Sequence, residues 1–166
     1  MPPRQTDGMK IEVCVARTIN ATPAAVFALA LDAARFPATF RGCGPIPALR
    51  RITPHSPPGV GSTREVESSD GSLLVERITL FDPPHRHAYT LSGLAPPLAW
   101  LVRTGDADWT FADAGGATQV SWRYAFTLTS ALAWPLASPL LHIFMRAAMR
   151  RCLDGMARML EANGAA

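Results

Sequence analysis

Residues 76–91 read ERITLFDPPHRHAYTL. Apolar and polar side chains alternate on both sides of the segment 82–85, whose two consecutive prolines interrupt regular strand pairing. Such a pattern predicts two strands, at 73–81 and 86–94, joined by a loop of four residues. The stretch therefore predicts an antiparallel sheet.

The facing of this hairpin follows from the length of its loop, because residues directly opposite each other in an antiparallel pair share a face. With a four-residue loop, Leu80 lies opposite His87. The same register sets Ile78 opposite Tyr89. We therefore expect His87, Tyr89 and Leu91 to point to the concave side of the sheet.

The flanking sequence adds five more strands. Residues 9–19 alternate apolar side chains with polar or small ones, as a half-buried first strand does. Further runs bounded by Gly, Pro, Asp and Ser predict strands at 47–54, 61–69, 100–112 and 118–128. A seven-stranded sheet is expected.

Helical signals lie near both ends of the chain. Asn20 or Thr22 is a suitable N-cap for a helix that begins at Pro23, and a second short turn is predicted over 37–41. After a loop at 133–138, a long helix is predicted from Pro139 to about residue 162. Its apolar stripe at helical spacing consists of Leu141, Met145, Ala148, Cys152, Met156 and Met159.

This order of elements predicts an α+β fold. A curved antiparallel sheet of seven strands wraps one long C-terminal helix, with two short helices after the first strand. A single helix cannot fill the concave side of such a sheet, so we expect a cavity between the two.

The loop around Gly71 decides the facing of the hairpin at 61–81. A two-residue Asp-Gly loop would set Arg64 opposite Arg77 and two glutamates opposite each other, and both pairs are unfavourable. A three-residue loop removes these clashes and leaves two registers open.

Arg64 lies opposite Glu76 in the first register. In the second, Glu65 lies opposite Arg77. Both registers place Arg64 and Glu76 on the concave face, and the solvent face then carries Glu65, Glu67, Arg77 and Thr79.

The last hairpin closes through Gly115 and Gly116, which suit the positive φ angles of a tight two-residue turn. The turn sets Trp109 opposite Trp122 on the concave face. On the solvent face it sets Asp108 opposite Arg123. The remaining concave residues of this hairpin are predicted to be Ala107, Phe111, Val120 and Tyr124.

Composition excludes several classes of protein. The 166 residues are one domain's length, predicted at 9–162 after a flexible tail at 1–8. A hydrophobic content of 48% against 17% charged residues excludes a disordered chain. The sixteen basic and thirteen acidic residues are dispersed, so no nucleic-acid partner is expected. Two prolines, His142 and Arg146 interrupt the apolar run at 131–149, so no transmembrane segment is expected.

Sequence motifs for disulfides, metal binding or catalysis are scarce. Three widely spaced cysteines, Cys14, Cys43 and Cys152, and the lack of an apolar stretch at the N-terminus favour a reduced, cytoplasmic protein. His, Asp and Glu do not occur at metal-ligand spacing, and GxSxG, GxGxxG and P-loop patterns are absent from the sequence. We therefore expect neither a metal nor a cofactor.

Five segments together resemble the START/polyketide-cyclase-like (SRPBCC) superfamily over about residues 9–162. They are VARTINATPAAVFALALDAARFP, PPGVGSTREV, ERITLFDPPHRHAYTL, GGATQVSWRYAFTL and the closing amphipathic helix. The resemblance implies the helix-grip fold. It implies no single function, because the superfamily includes lipid and hormone binders, polyketide cyclases and aromatases, and co-chaperone domains. It supplies no shared catalytic residue, and His87 departs from the apolar residue that is common there.

The hypothesis that follows is a protein that binds a hydrophobic small molecule, such as a lipid, isoprenoid or polyketide, in this cavity. The predicted ligand-binding residues are Arg64, Glu76, Ile78, His87, Tyr89, Leu91, Trp100, Trp109, Trp122, Tyr124, Met145, Met149 and Met156. One alternative is a cyclase, aromatase or dehydratase that uses His87 and Glu76 as acid and base. A third hypothesis is a protein-interaction module.

Two structural alternatives stay open in the sequence. Arg64 and Glu76 either serve a ligand or form a purely structural pair, in which case His87 would lie at a solvated rim. The apolar connection LAPPLAWL at 94–101 is either a lid over the cavity or a homodimer contact, since large apolar patches on loops are uncommon.

Overall fold

The computed structural model describes residues 8–164, so the tail predicted at 1–8 lies almost entirely outside the described residues. The N-terminal half contains β1 (Lys10–Ile19), α1 (Pro23–Leu31), a 3-10 turn (Phe36–Ala38), β2 (Leu49–Pro54), β3 (Thr63–Ser68) and β4 (Leu73–Asp82). There follow β5 (Arg86–Ser92), a 3-10 turn (Leu98–Trp100), β6 (Val102–Asp113), β7 (Thr118–Leu128) and a 3-10 turn (Ala131–Ala133). The chain continues through α2 (Trp134–Pro139), a π-helical segment (Leu140–Met145) and α3 (Arg146–Gly164).

All seven strands join one antiparallel sheet in the order β1-β7-β6-β5-β4-β3-β2. The two ends of the order are not paired to each other, so the sheet is open, and α3 packs on it next to β1. The expected α+β helix-grip fold is confirmed. The second short helix predicted at 37–41 is the 3-10 turn at 36–38.

The short helix α1 follows from its first residues. The side chain of Thr22 accepts a hydrogen bond from the backbone N–H of Ala25 at 3.3 Å, and Pro23 occupies the first helical position, where no N–H is needed. Phe27 of this helix is buried against Phe111, with 5.3 Å between ring centroids. The helix therefore covers the concave face of β6.

Two of the predicted hairpin registers are confirmed. Arg64 pairs with Glu76 through a three-residue loop, which is the first of the two open registers. Trp109 pairs with Trp122, and their rings stack with 4.1 Å between centroids. Asp108 lies opposite Arg123 on the outer face, as predicted. There Asp108 accepts two hydrogen bonds from Arg86, at 3.0 and 2.6 Å.

The register predicted for β4 and β5 is partly wrong. Ile78 pairs with Tyr89 as expected, but a bulge at Thr79 follows, and Phe81 instead of Leu80 lies opposite His87. The loop consequently has three residues, 83–85. A bulge adds one unpaired residue to a strand, so the two ends of β4 pair with β5 in different registers.

The prediction that Pro139 begins the last helix is also wrong. Helical structure starts at Trp134, inside the predicted loop at 133–138. Both prolines lie where a missing N–H is tolerated, because Pro135 is in the first turn and Pro139 immediately precedes a segment with wider π-helical turns.

Candidate functional site

A cavity of about 100 Å³ lies on the concave side of the sheet. Residues of the sheet form its floor, and three connections, 36–47, 70–72 and 94–98, together with Met145, form its other walls. The lining residues from the strands are Leu49, Val66, Ser68, Leu74, Glu76, Tyr89, Leu91, Trp122 and Tyr124. The other lining residues are Phe36, Phe40, Pro45, Ile46, Pro47, Asp70, Ser72, Leu94, Ala95, Pro96, Pro97, Leu98 and Met145.

An ion pair is buried at the floor of this cavity. The Nε atom of Arg64 donates to Oε2 of Glu76 at 2.5 Å, and the two residues are 7% and 6% exposed. The guanidinium carbon of Arg64 lies 5.6 Å from the ring centroid of Tyr89. Burial raises the pKa of Glu76, and the attraction of Arg64 opposes this rise. Glu76 is therefore a weaker acid than an exposed glutamate.

Two tyrosines bring both aromatic rings and hydroxyl groups to the floor of the cavity. Tyr89 and Tyr124 are buried edge to face, with 6.2 Å between centroids, and both line the cavity. Burial raises the pKa of both phenols, so each is a neutral hydroxyl that can donate or accept a hydrogen bond.

Trp122 contributes a donor that lacks a partner. Its side chain lines the cavity, and its indole Nε1 is buried without a hydrogen-bond partner among the described residues. A buried N–H without an acceptor costs about 1–3 kcal/mol, so an acceptor on a bound molecule would recover this free energy.

Arg64 also faces a second, smaller cavity of about 20 Å³. Its other lining residues are Leu31, Pro54, Ser56, Pro58, Ser62, Thr63 and Ile78. Glu76 does not line this small cavity, and Arg64 does not line the large one.

His87 lies outside both cavities. It is 1% exposed and is covered by Phe27 of α1, with 6.4 Å between ring centroids. Neither ring nitrogen has a hydrogen-bond partner among residues 8–164. Burial and, second, the charge of Arg64 lower the pKa of His87 to about 3. The solvated rim considered for His87 is therefore wrong, and the imidazole is neutral near pH 7.

The thirteen predicted ligand-binding residues fall into four groups. Six line the large cavity: Glu76, Tyr89, Leu91, Trp122, Tyr124 and Met145. Arg64 and Ile78 line the small one, and His87, Trp109, Met149 and Met156 are buried in the surrounding core. Trp100 is 70% exposed and lies outside the cavity lining.

Several lining residues were missed by the sequence reasoning. Val66 and Leu74 share the predicted concave face of Arg64 and Glu76, so the hairpin register could have identified them. Phe36 lies in the first 3-10 turn, whereas Phe40 and the segment 45–47 lie in irregular chain, and none of them belongs to a periodic pattern. Their position depends on tertiary packing alone.

The open sheet, the long helix and the cavity between them define a helix-grip protein. The chain belongs to the family described as polyketide cyclase / dehydrase and lipid transport, which it matches over residues 10–161. No curated protein matches the chain.

Solved structures share the fold at low sequence identity. Truncated norcoclaurine synthase from Thalictrum flavum is 12% identical, with a TM-score of 0.70 and coverage of 95% of this chain and 97% of the synthase. The Zhui aromatase/cyclase from Streptomyces sp. R1128 is 14% identical, with a TM-score of 0.70 and coverage of 92% and 94%. The protein TTHA0849 from Thermus thermophilus is 19% identical, with a TM-score of 0.68 and coverage of 92% and 99%.

Proposed function

We propose that this protein binds a hydrophobic small molecule that carries at least one hydrogen-bonding group, in the cavity between the sheet and the C-terminal helix. The observation that carries the proposal is a mostly apolar cavity lined by Trp122, whose buried indole N–H has no hydrogen-bond partner within residues 8–164. Pockets of this composition, with a few polar groups in fixed positions, are typical of small-molecule sites.

The polar groups of the floor specify what the ligand must offer. Trp122 can only donate, so it requires an acceptor such as a carbonyl or hydroxyl oxygen. Glu76 accepts when charged and can donate when protonated. A lipid, isoprenoid or polyketide with one oxygen-bearing end and an apolar body meets both requirements.

The segment 94–98 serves as the lid of this cavity in our proposal. A volume of about 100 Å³ is below the roughly 300–1,000 Å³ of ordinary ligand sites, so a larger ligand requires one wall to move. Leu94 and Leu98 are half-buried wall residues on a connection between strands, which can move without breaking the sheet. Trp100, which follows this segment, makes no contribution to the cavity in this proposal.

An enzyme of the cyclase, aromatase or dehydratase type is the second candidate. The raised pKa of Glu76 inside a cavity is a property of many acid and base catalysts. His87 cannot share this role from its position, so Glu76 would act alone. A reduced, cytoplasmic setting, expected from the cysteine pattern, is part of either proposal.

Titration with the neutral fluorescent probe N-phenyl-1-naphthylamine tests binding. We expect saturable binding at one site in the wild type and competition by long-chain lipids or aromatic polyketides. Leu91→Trp fills the cavity and should weaken binding by about tenfold or more, which corresponds to ~1.4 kcal/mol. Val75→Trp, on the outer face of β4, is the matched control and should bind normally. Equal binding by the Leu91 variant would overturn the proposal.

Native mass spectrometry of the protein purified from its own host identifies the molecule it carries. The extracted molecule then separates the two candidates. If it is recovered unchanged after incubation with wild-type protein, the protein is a binder. If it is converted by the wild type and not by Glu76→Gln, the protein is an enzyme with Glu76 as its acid or base.

A further inference from the structure

The segment that leads into α3 exposes large apolar side chains. Leu132 is 90% exposed, Leu136 67% and Ile143 60%, and Trp134 is 49% exposed between the two leucines. Leucine and isoleucine are normally among the most buried residues, so three of them exposed together with a tryptophan within twelve residues form an unusual surface.

Trp100 extends this surface from a neighbouring connection. The hydroxyl of Thr129 donates to the backbone carbonyl of Trp100 at 2.7 Å, and Arg103 donates to the carbonyl of Thr129 at 3.4 Å. Trp100 is thereby held beside the start of the 131–143 segment, with its side chain mostly in solvent. We call Trp100, Leu132, Trp134, Leu136 and Ile143 the apolar face.

The charged residues nearest in sequence to the 131–143 segment are all positive. The sequence contains no Asp or Glu between Asp113 and Asp154. The same region contains Arg146, Arg150 and Arg151, the last two exposed, and exposed Arg103 lies next to Thr129. Among the described residues, no carboxylate lies within ion-pair distance of these four arginines.

We propose that the apolar face docks on an anionic lipid bilayer. Trp and Leu side chains partition into the membrane interface, and Arg side chains at its edge attract anionic headgroups. A second copy of the chain is a poorer occupant, because a symmetric dimer through this face would bring like-charged arginines together. Docking does not require that the cavity hold any particular ligand.

The apolar face adjoins two segments of the cavity wall in the sequence. The wall segment 94–98 ends two residues before Trp100, and Met145 of the wall lies two residues after Ile143. A bilayer that contacts the apolar face would therefore touch the chain within two residues of the wall segment that we propose as the lid.

Flotation of the full chain with lipid vesicles tests the docking. We expect binding to vesicles of phosphatidylcholine with added phosphatidylserine and much weaker binding to phosphatidylcholine alone. Leu132→Ser with Leu136→Ser should weaken binding by about tenfold or more, because each leucine loses its transfer out of water. Arg150→Gln with Arg151→Gln should weaken it about fivefold or more, with less dependence on salt.

The matched control is Val60→Ser with Leu73→Ser, two other exposed apolar residues at 71% and 54%, in the loop before β3 and at the start of β4. Its vesicle binding should equal that of the wild type. The proposal is overturned if the wild type binds neither vesicle, or if the control loses as much as the leucine variant. It is equally overturned if sedimentation shows a dimer that the leucine variant converts to a monomer.

Discussion

Arg64 and Glu76 form an ion pair whose two members line different cavities, Glu76 the large one and Arg64 the small one. On the concave side of the sheet, the paired side chains lie between the large cavity and the small one. Each charge depends on the other, because water reaches neither side chain freely.

The first prediction concerns the contribution of this pair to the free energy of unfolding of the protein. Arg64→Met should cost about 3–5 kcal/mol near pH 7, because it leaves a buried carboxylate unpaired. Glu76→Leu should cost a similar amount, whereas the double variant should recover most of the loss. Urea denaturation of the four proteins measures the coupling. Strictly additive costs would contradict a strongly coupled pair.

The pH dependence of the Arg64→Met variant has a definite sign. A carboxyl whose folded pKa is raised stabilises the fold below its unfolded pKa, and this stability is lost as pH rises through the folded pKa. Removal of Arg64 raises the pKa of Glu76 further. The free energy of unfolding of Arg64→Met should therefore approach that of the wild type as the pH is lowered.

A second prediction concerns His87, whose folded pKa is lowered to about 3 from an ordinary value of 6.5. The unfolded chain takes up a proton below about pH 6.5 and the folded chain does not. His87 therefore lowers stability by up to ~1.4 kcal/mol per pH unit as pH falls from 6.5 toward 3. His87→Leu should remove this slope in acid titrations of unfolding free energy. His142→Gln, at an exposed site, should retain it.

The third prediction uses the indole N–H of Trp122. Trp122→Phe keeps an aromatic wall and removes the donor, so the affinity for an oxygen-bearing ligand should fall about three- to twelve-fold. Affinity for a purely hydrocarbon probe should change little. Equal losses for both ligand types, measured by isothermal titration, would show that the ring shape alone matters.

A fourth prediction compares two methionines of the C-terminal helix. Met145 lines the cavity, whereas Met149 is fully buried outside it. Truncation of either to Ala should cost about 2–5 kcal/mol. Met145→Ala should also let bulkier probes bind, and Met149→Ala should leave the ranking of probes by size unchanged. Identical rankings in both variants would place the ligand elsewhere.

Sequence reasoning predicted the parts of this molecule that depend on local rules. Turn length and the avoidance of like charges place Arg64 opposite Glu76, and a two-glycine turn places Trp109 opposite Trp122. The six predicted residues that line the cavity all come from such strands or from the helical stripe.

What the sequence did not reveal depends on packing between distant segments. The bulge at Thr79 adds one residue without a distinctive residue type, so the turn length alone mispredicted the partner of His87. The burial of His87 depends on Phe27, sixty positions earlier in the chain, and a local pattern carries no information about that contact.

The π-helical segment at 140–145 has a consequence for how this chain tolerates insertions and deletions. Its wider turns hold more residues than an α-helix of the same length. Deletion of one residue there would let the remaining residues close into α-helical turns over the same length, so the segments on either side would keep their relative rotation. Leu132 and Leu136 would then keep their present direction while Met149 stayed buried. Deletion of one residue from α3 itself lacks this reserve and would rotate one side of the helix by roughly 100° relative to the other.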